Sequence, residues 1–435
     1  MNRRILNIAV PNIISNITIP LLGLVDLALV GHLENELYIG AISLGGMIFN
    51  FIYWGFSFLR MGTSGFVAQA YGKRQLNETI NLLGRAFFVA LSGAFLLIVL
   101  QKGIGWLSFT IINGSDEVEA LAREYFYIRI WAAPATIGLY GLTGWFIGMQ
   151  NARYPMFIAI TVNALNIGFN IFLIKTVGMK SDGVALGTVM AQYSGLILGL
   201  VLLKTSYGKL FKYWNRKAIL QLKALKLFYS VNKDIFIRTI CLIFVLSFFT
   251  AKSAANGDML LAVNTLLMQF FTIFSYLVDG FAYAGEALVG KYTGARDGQK
   301  LRRVIRYLFY WATAIALPFT LLYIFGGKTL LQVLTNEQDV IRLAGKYMFW
   351  VWMLPVLTFA AFIWDGIYIG ATASTGMRNS MLISTLLIFL PVYFIAQHYL
   401  GNHGLWLAFM TFMLSRGMTQ TLLAKKAVLN KIPAR

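Results

Sequence analysis

Asp26 lies within Leu22-Gly23-Leu24-Val25-Asp26-Leu27-Ala28-Leu29-Val30-Gly31-His32, with apolar neighbours on both sides. Apolar surroundings disfavour the charged form of a carboxyl group, so a carboxyl placed there can take up and release a proton. Intramembrane acids are rare and mark ion or substrate pathways. The alternative role is a structural hydrogen bond near the outer mouth. Asn163, Asn166 and Asn170 form a second feature, because spacings of three and four put them on one helix face. Such a stripe faces protein or a water-filled cavity, not lipid. It serves either as a ligand or ion site or as glue between helices, and Thr188 is a candidate to join it.

The C-terminal half carries Asp279 and Glu286, seven residues apart and so two turns apart on one face, and then Asp365. Arg60 and Arg238 are candidate partners, and Asp279 could be locked to Arg238. Buried ion pairs of this kind are more often structural than functional. Pro11 and Pro20 interrupt the helix ahead of Asp26, and each removes a backbone donor and permits a bend. We expect that bend to follow the charge state of Asp26. Phosphate loops, nucleophile–base sets and metal-ligand spacings are absent from the sequence; His32, His398 and His403 are scattered. The single Cys241 can form no intramolecular disulfide. No cofactor and no bound metal are expected, apart from a sodium site near Asp26 or Asp365 as an alternative to proton coupling.

Long helices must hold these groups. Of 435 residues, 58% are hydrophobic and only 12% charged, against about a quarter charged in a soluble domain. Twelve apolar stretches, at 5–31, 37–70, 82–111, 118–149, 154–176, 183–205, 226–252, 259–292, 304–326, 338–371, 379–400 and 404–425, approach or exceed the roughly 20 residues that cross a bilayer. The formal charge of +20 does not signal nucleic acid, because Lys and Arg gather at alternate helix ends. That bias puts both termini in the cytoplasm.

The halves repeat. Phe66-Val67-Ala68-Gln69-Ala70-Tyr71-Gly72 matches Leu288-Val289-Gly290-Lys291-Tyr292-Thr293-Gly294, and Gly144-Trp145-Phe146-Ile147-Gly148 matches Gly366-Ile367-Tyr368-Ile369-Gly370, both at an offset of 222 residues. The expected fold is therefore an all-α polytopic membrane protein of twelve transmembrane helices. It comprises a six-helix lobe at 1–205, a cytoplasmic linker at 206–225 and a second six-helix lobe at 226–435. Six helices per half relates the lobes by a pseudo-twofold axis along the membrane normal. The basic, aromatic linker suits the surface of an anionic inner leaflet.

Gly23-Leu24-Val25-Asp26 with Val30-Gly31-His32-Leu33 resembles the helix-1 motif of the multidrug and toxic compound extrusion family. Leu59-Arg60-Met61-Gly62-Thr63-Ser64-Gly65, Asp279-Gly280-Phe281-Ala282-Tyr283-Ala284-Gly285-Glu286 and Met377-Arg378-Asn379-Ser380-Met381 resemble its DNA-damage-inducible protein F subfamily. The resemblance implies an exporter of drugs or toxic organic cations, driven by protons, sodium or both and working by alternating access. It implies that Asp26 is the coupling residue, that Pro11 is the bending proline, and that Asn166 and Thr188 belong to the N-half site. Asn170 departs from the pattern, since relatives commonly carry Asp there, and so does Lys291, where the repeat and most relatives suggest Gln.

These features together point to a secondary active antiporter in the bacterial inner membrane. Its partners would be small amphipathic organic substrates, often cationic, and membrane lipid, with no nucleic acid and a monomeric state. It would not be an enzyme, and its coupling ion would be H+, with Na+ as the alternative. A lipid-linked-precursor flippase would want a strongly cationic cavity, for which Arg60 and Arg238 are too few.

Overall fold

The computed structural model describes residues 1–30, 36–111 and 115–430, with the side chains of 19–30 and 36 outside the described set. The chain folds into helices: α1 Asn2–Val30, α2 Glu36–Gly55, α3 Phe58–Gly72, α4 Leu76–Val99, α5 Gln101–Ile111, α6 Asp116–Arg129, α7 Ala133–Gly148, α8 Arg153–Lys175 and α9 Ser181–Tyr207. After the short α10 (Arg216–Ile219) come α11 Leu222–Ala255, α12 Asp258–Gly294, α13 Gly298–Leu334, α14 Gln338–Gly345, α15 Met348–Gly370, α16 Ser374–Leu382, α17 Leu390–Leu400 and α18 Asn402–Ala424. Among the described residues ten spans are long and apolar enough to cross a membrane. The remaining two of the twelve expected spans are α1 and α18.

Several expected spans are helix pairs. The stretch expected at 118–149 divides into α6 and α7 through a 3-10 turn at Ile130–Ala132, because Pro134 in the first turn of α7 has no N–H to continue the α ladder. The stretch expected at 37–70 breaks after Gly55 into α2 and α3, and that expected at 338–371 breaks after Gly345 into α14 and α15.

Contacts divide the chain into an N-unit, Ile14–Tyr229, and a C-unit, Met1–Ile13 with Ser230–Arg435. The start of α1 thus belongs with the C-unit and not with the lobe expected at 1–205. Gly280 of α12 gives the reason: a Cβ there would meet the Ala9 carbonyl at 2.9 Å and collide with Ile13. Arg4 also donates to the Tyr292 hydroxyl at 2.7 Å. The linker segment docks on the N-unit. Buried Arg85 of α4 donates to the Ala218 carbonyl at 2.9 Å, and Asn81 accepts the Asn215 N–H at 3.1 Å.

The sequence repeat has a packing counterpart in each unit. In the N-unit, a Cβ on Gly144 of α7 would overlap the Arg60 carbonyl of α3, and one on Gly148 would meet the Ser64 carbonyl at 2.8 Å. In the C-unit, a Cβ on Gly366 of α15 would overlap the Ala282 carbonyl of α12, and one on Gly370 would meet the Glu286 carbonyl at 2.7 Å. All four positions and all four partners differ by the same 222 residues. The backbone turns repeat too: Arg74 and Arg296, and Gln150 and Thr372, take positive φ at the ends of α3, α12, α7 and α15, the left-handed cap that ends many helices. Small residues let two backbones approach closely, which in lipid replaces the hydrophobic force as the source of helix affinity.

Around these contacts the cores fill with aromatics. Trp145 is fully buried and donates to the Thr79 carbonyl at 2.7 Å, with its ring edge-on to Tyr207 at 5.0 Å. In the C-unit, Phe249 meets Trp406 and Phe409 at 5.1 and 5.6 Å. Gly366→Ala should destabilise the protein by about 1–3 kcal/mol or more through overpacking. Gly168→Ala, where the new methyl meets nothing within 4 Å, should leave the melting temperature unchanged or raised. Thermal unfolding of the two variants in detergent would separate these effects, and equal melting temperatures would count against the close contact.

Candidate functional site

Three of the four N-unit candidates meet. Asn170 of α8, fully buried, donates to the Asn166 side-chain carbonyl at 3.0 Å. Asn166 donates to the Thr188 hydroxyl of α9 at 3.1 Å, and Thr188 donates to the Val184 carbonyl at 2.9 Å. The α8 stripe therefore faces α9 as a connected polar ladder. Gly187 makes room for it, since a Cβ there would collide with the Asn170 side-chain oxygen. Asn163 points elsewhere. It donates to the Thr18 carbonyl of α1 at 3.3 Å, two residues ahead of Pro20.

The ladder ties α8 to α9 and offers neutral oxygens of the kind that hold hard cations or a cargo ammonium. Asn170 takes part as an amide donor, a role that an ionised Asp at that position could not fill. The side chains of Asp26 and Pro20 lie outside the described residues. The backbone of α1 is helical from Asn2 through both prolines to Val30. Asn12 adds a side-chain hydrogen bond to the Ile8 carbonyl at 2.7 Å just after Pro11.

The C-unit candidates separate. Asp365 of α15 is buried, and one of its oxygens accepts from Arg238 of α11 and, at 2.7 Å, from Arg416 of α18. Its other oxygen accepts from Gln420 at 2.8 Å. The carboxylate partner of Arg238 is thus Asp365, in place of the Asp279 lock considered from sequence. Asp279 of α12 is half-buried and within electrostatic reach of Arg416, and Glu286 is buried on the same helix. Arg60, grouped with these acids from sequence, sits on α3 in the N-unit.

Arg416 escaped the sequence reading, although an arginine in the middle of the last apolar span, at Met413-Leu414-Ser415-Arg416, was the signal. Its guanidinium is 1% exposed and also lies over the Phe412 ring. A carboxylate contacted by two guanidinium groups and an amide has its oxygens filled with donors. It holds α11, α15 and α18 together and is poorly suited to bind a further cation.

Two other buried polar sets were also missed. Asn264 and Asn402 exchange hydrogen bonds at 2.7 and 3.1 Å, with Ser253 and Trp406 completing the set. Asp234 accepts from Ser374, Thr375 and Arg378 at 2.9, 3.0 and 2.7 Å. Both are closed networks with the character of structural locks. No group of three or more His, Cys, Asp or Glu suited to a metal occurs among the described residues.

The MatE family model matches residues 11–195 and 236–395. The chain is 36% identical over 419 residues to DNA damage-inducible protein F of Escherichia coli, covering 95% of this chain and 90% of that protein. It is 22% identical to the probable multidrug resistance protein NorM of Thermotoga maritima, covering 99% of this chain and 95% of that protein. A crystal structure of MATE in the bent conformation superposes with a TM-score of 0.88 at 18% identity, over 99% of this chain and 96% of that one; that likeness bears on the fold. The paired close contacts, the matched family and the near full-length relative together place this protein in the MatE family of membrane transporters.

Proposed function

We propose that the chain is a secondary active exporter of amphipathic organic compounds, many of them cationic, in exchange for protons carried by Asp26. Its place would be the bacterial inner membrane with both termini cytoplasmic, following the Lys/Arg bias. The observation that carries the reading is the division of α1. Contacts assign its residues up to Ile13 to the C-unit and those from Ile14 to the N-unit, so the change falls between Pro11 and Pro20. Asp26 rides on the far portion of a helix that both units share. A proton gained or lost there can bias how that portion packs, which is the requirement for coupling an ion to alternating access.

The C-unit supports this assignment by elimination. Asp365 is occupied by Arg238, Arg416 and Gln420, which argues against a sodium site there. The N-unit ladder of Asn166, Asn170 and Thr188 supplies oxygens but, with Asn at 170, no second carboxyl. Asp26 then carries the charge change in that half, and one proton per cycle is the expected stoichiometry. The names of the relatives, a multidrug resistance protein among them, agree with drug-like cargo.

Two outcomes follow. In proteoliposomes with separately imposed pH and sodium gradients, wild type should accumulate a lipophilic cation only with the pH gradient. Asp26→Asn should lower that accumulation by about tenfold or more while leaving cargo binding measurable. Undiminished transport by Asp26→Asn at equal protein levels would reject Asp26 as carrier, and transport driven by sodium alone would reject proton coupling. Asp365→Asn should instead act on stability. It leaves two buried guanidinium groups without their acid and should cost about 3–5 kcal/mol in thermal unfolding. Exchanging potassium for sodium should leave the wild-type melting temperature unchanged, whereas a sodium site at 100 times its Kd would add about 2.7 kcal/mol.

A further inference from the structure

Arg129 ends α6 inside the apolar span Asp116–Gly148. Three buried arginines among the described residues are paired with acids: Arg85 with Glu78, and Arg238 and Arg416 with Asp365, whereas Arg129 is half-buried. Arg129 makes no ion pair among the described residues. Its guanidinium donates to the Tyr125 hydroxyl at 2.5 Å and lies over the rings of Phe49 and Tyr125 at 5.1 and 5.5 Å. Its Nε is buried and makes no hydrogen bond among the described residues.

Two further donors stand beside it. The Tyr53 phenol of α2 adjoins both Arg129 and Thr136 of α7. Tyr53 and Thr136 are each 8% exposed; their hydroxyls lie within reach of each other but form no hydrogen bond of good geometry among the described residues. All of these side chains belong to the N-unit. A cation at membrane depth without an acid is costly, and ring faces offset only part of that cost. Unfilled hydroxyls at the same spot add to it. A ligand that brought acceptor oxygens to this spot would satisfy them.

We propose that Arg129, Tyr53 and Thr136 form a receptor for the carboxylate of amphipathic cargo, so that the preferred substrates of the exporter are zwitterions carrying both an organic cation and an acid. A guanidinium offers a carboxylate a planar fork of donors, the two hydroxyls offer one donor each, and Phe49, stacked on Phe126 at 5.2 Å, holds the guanidinium in place from below. The inference rests on the exporter reading for the cationic part of the cargo. The acid receptor stands on the N-unit geometry alone.

The test uses rhodamine B, a xanthylium cation with a free benzoate, and rhodamine B ethyl ester, the same cation with the acid blocked. Fluorescence anisotropy on the purified full-length protein should show the acid binding about tenfold or more tighter than the ester. Arg129→Gln should bring the ratio close to one with ester binding retained. Tyr53→Phe, which removes one oxygen and leaves the packing, should lower the ratio about threefold to tenfold. Equal binding of acid and ester by wild type would overturn the receptor, as would a ratio untouched by both substitutions. Acid-selective binding without any proton-driven transport would uphold the receptor and count against the exchange mechanism, so the two readings fail separately.

Discussion

Hydrocarbon supplies no hydrogen bonds, so each polar group within a membrane span must find its partner inside the protein. In this chain that requirement takes two forms. Backbones are brought together by glycine, as where Gly144 and Gly366 rest on the carbonyls of Arg60 and Ala282. Acids are placed where donors converge, as where Asp365 accepts from Arg238, Arg416 and Gln420. The first form builds the units and the second stiffens the C-unit.

The two units carry different polar sets on their common plan. The C-unit acid at Asp365 is held from three directions, and the neighbouring Asn264–Asn402 pair is likewise complete. The N-unit has a ladder of neutral amides and an arginine held by rings. In α1, Pro11 and Pro20 each remove a ladder donor on either side of the change of unit.

The same physics accounts for the surroundings of two residues at which the resemblance implies a different side chain. Asn170 in place of a carboxylate lets the residue donate to Asn166 and pack on Gly187 without a buried charge. Lys291, where the repeat suggests Gln, lies in the last turn of α12, where a cation complements the negative end of the helix dipole.

Apolar length, the alternation of basic ends and the repeat at 222 residues determined the helical membrane fold and its internal duplication, because spacing along one chain is enough to encode them. The Asn166–Asn170 face was legible for the same reason, as three and four residues make a helical turn. Tertiary structure alone decided which acid Arg238 would meet, that Arg416 would join it, that Asn163 would turn toward Thr18, and that residues 1–13 would pack with the C-unit. Those outcomes depend on which helices lie side by side, and a pairing across 127 residues leaves no period in the sequence to read.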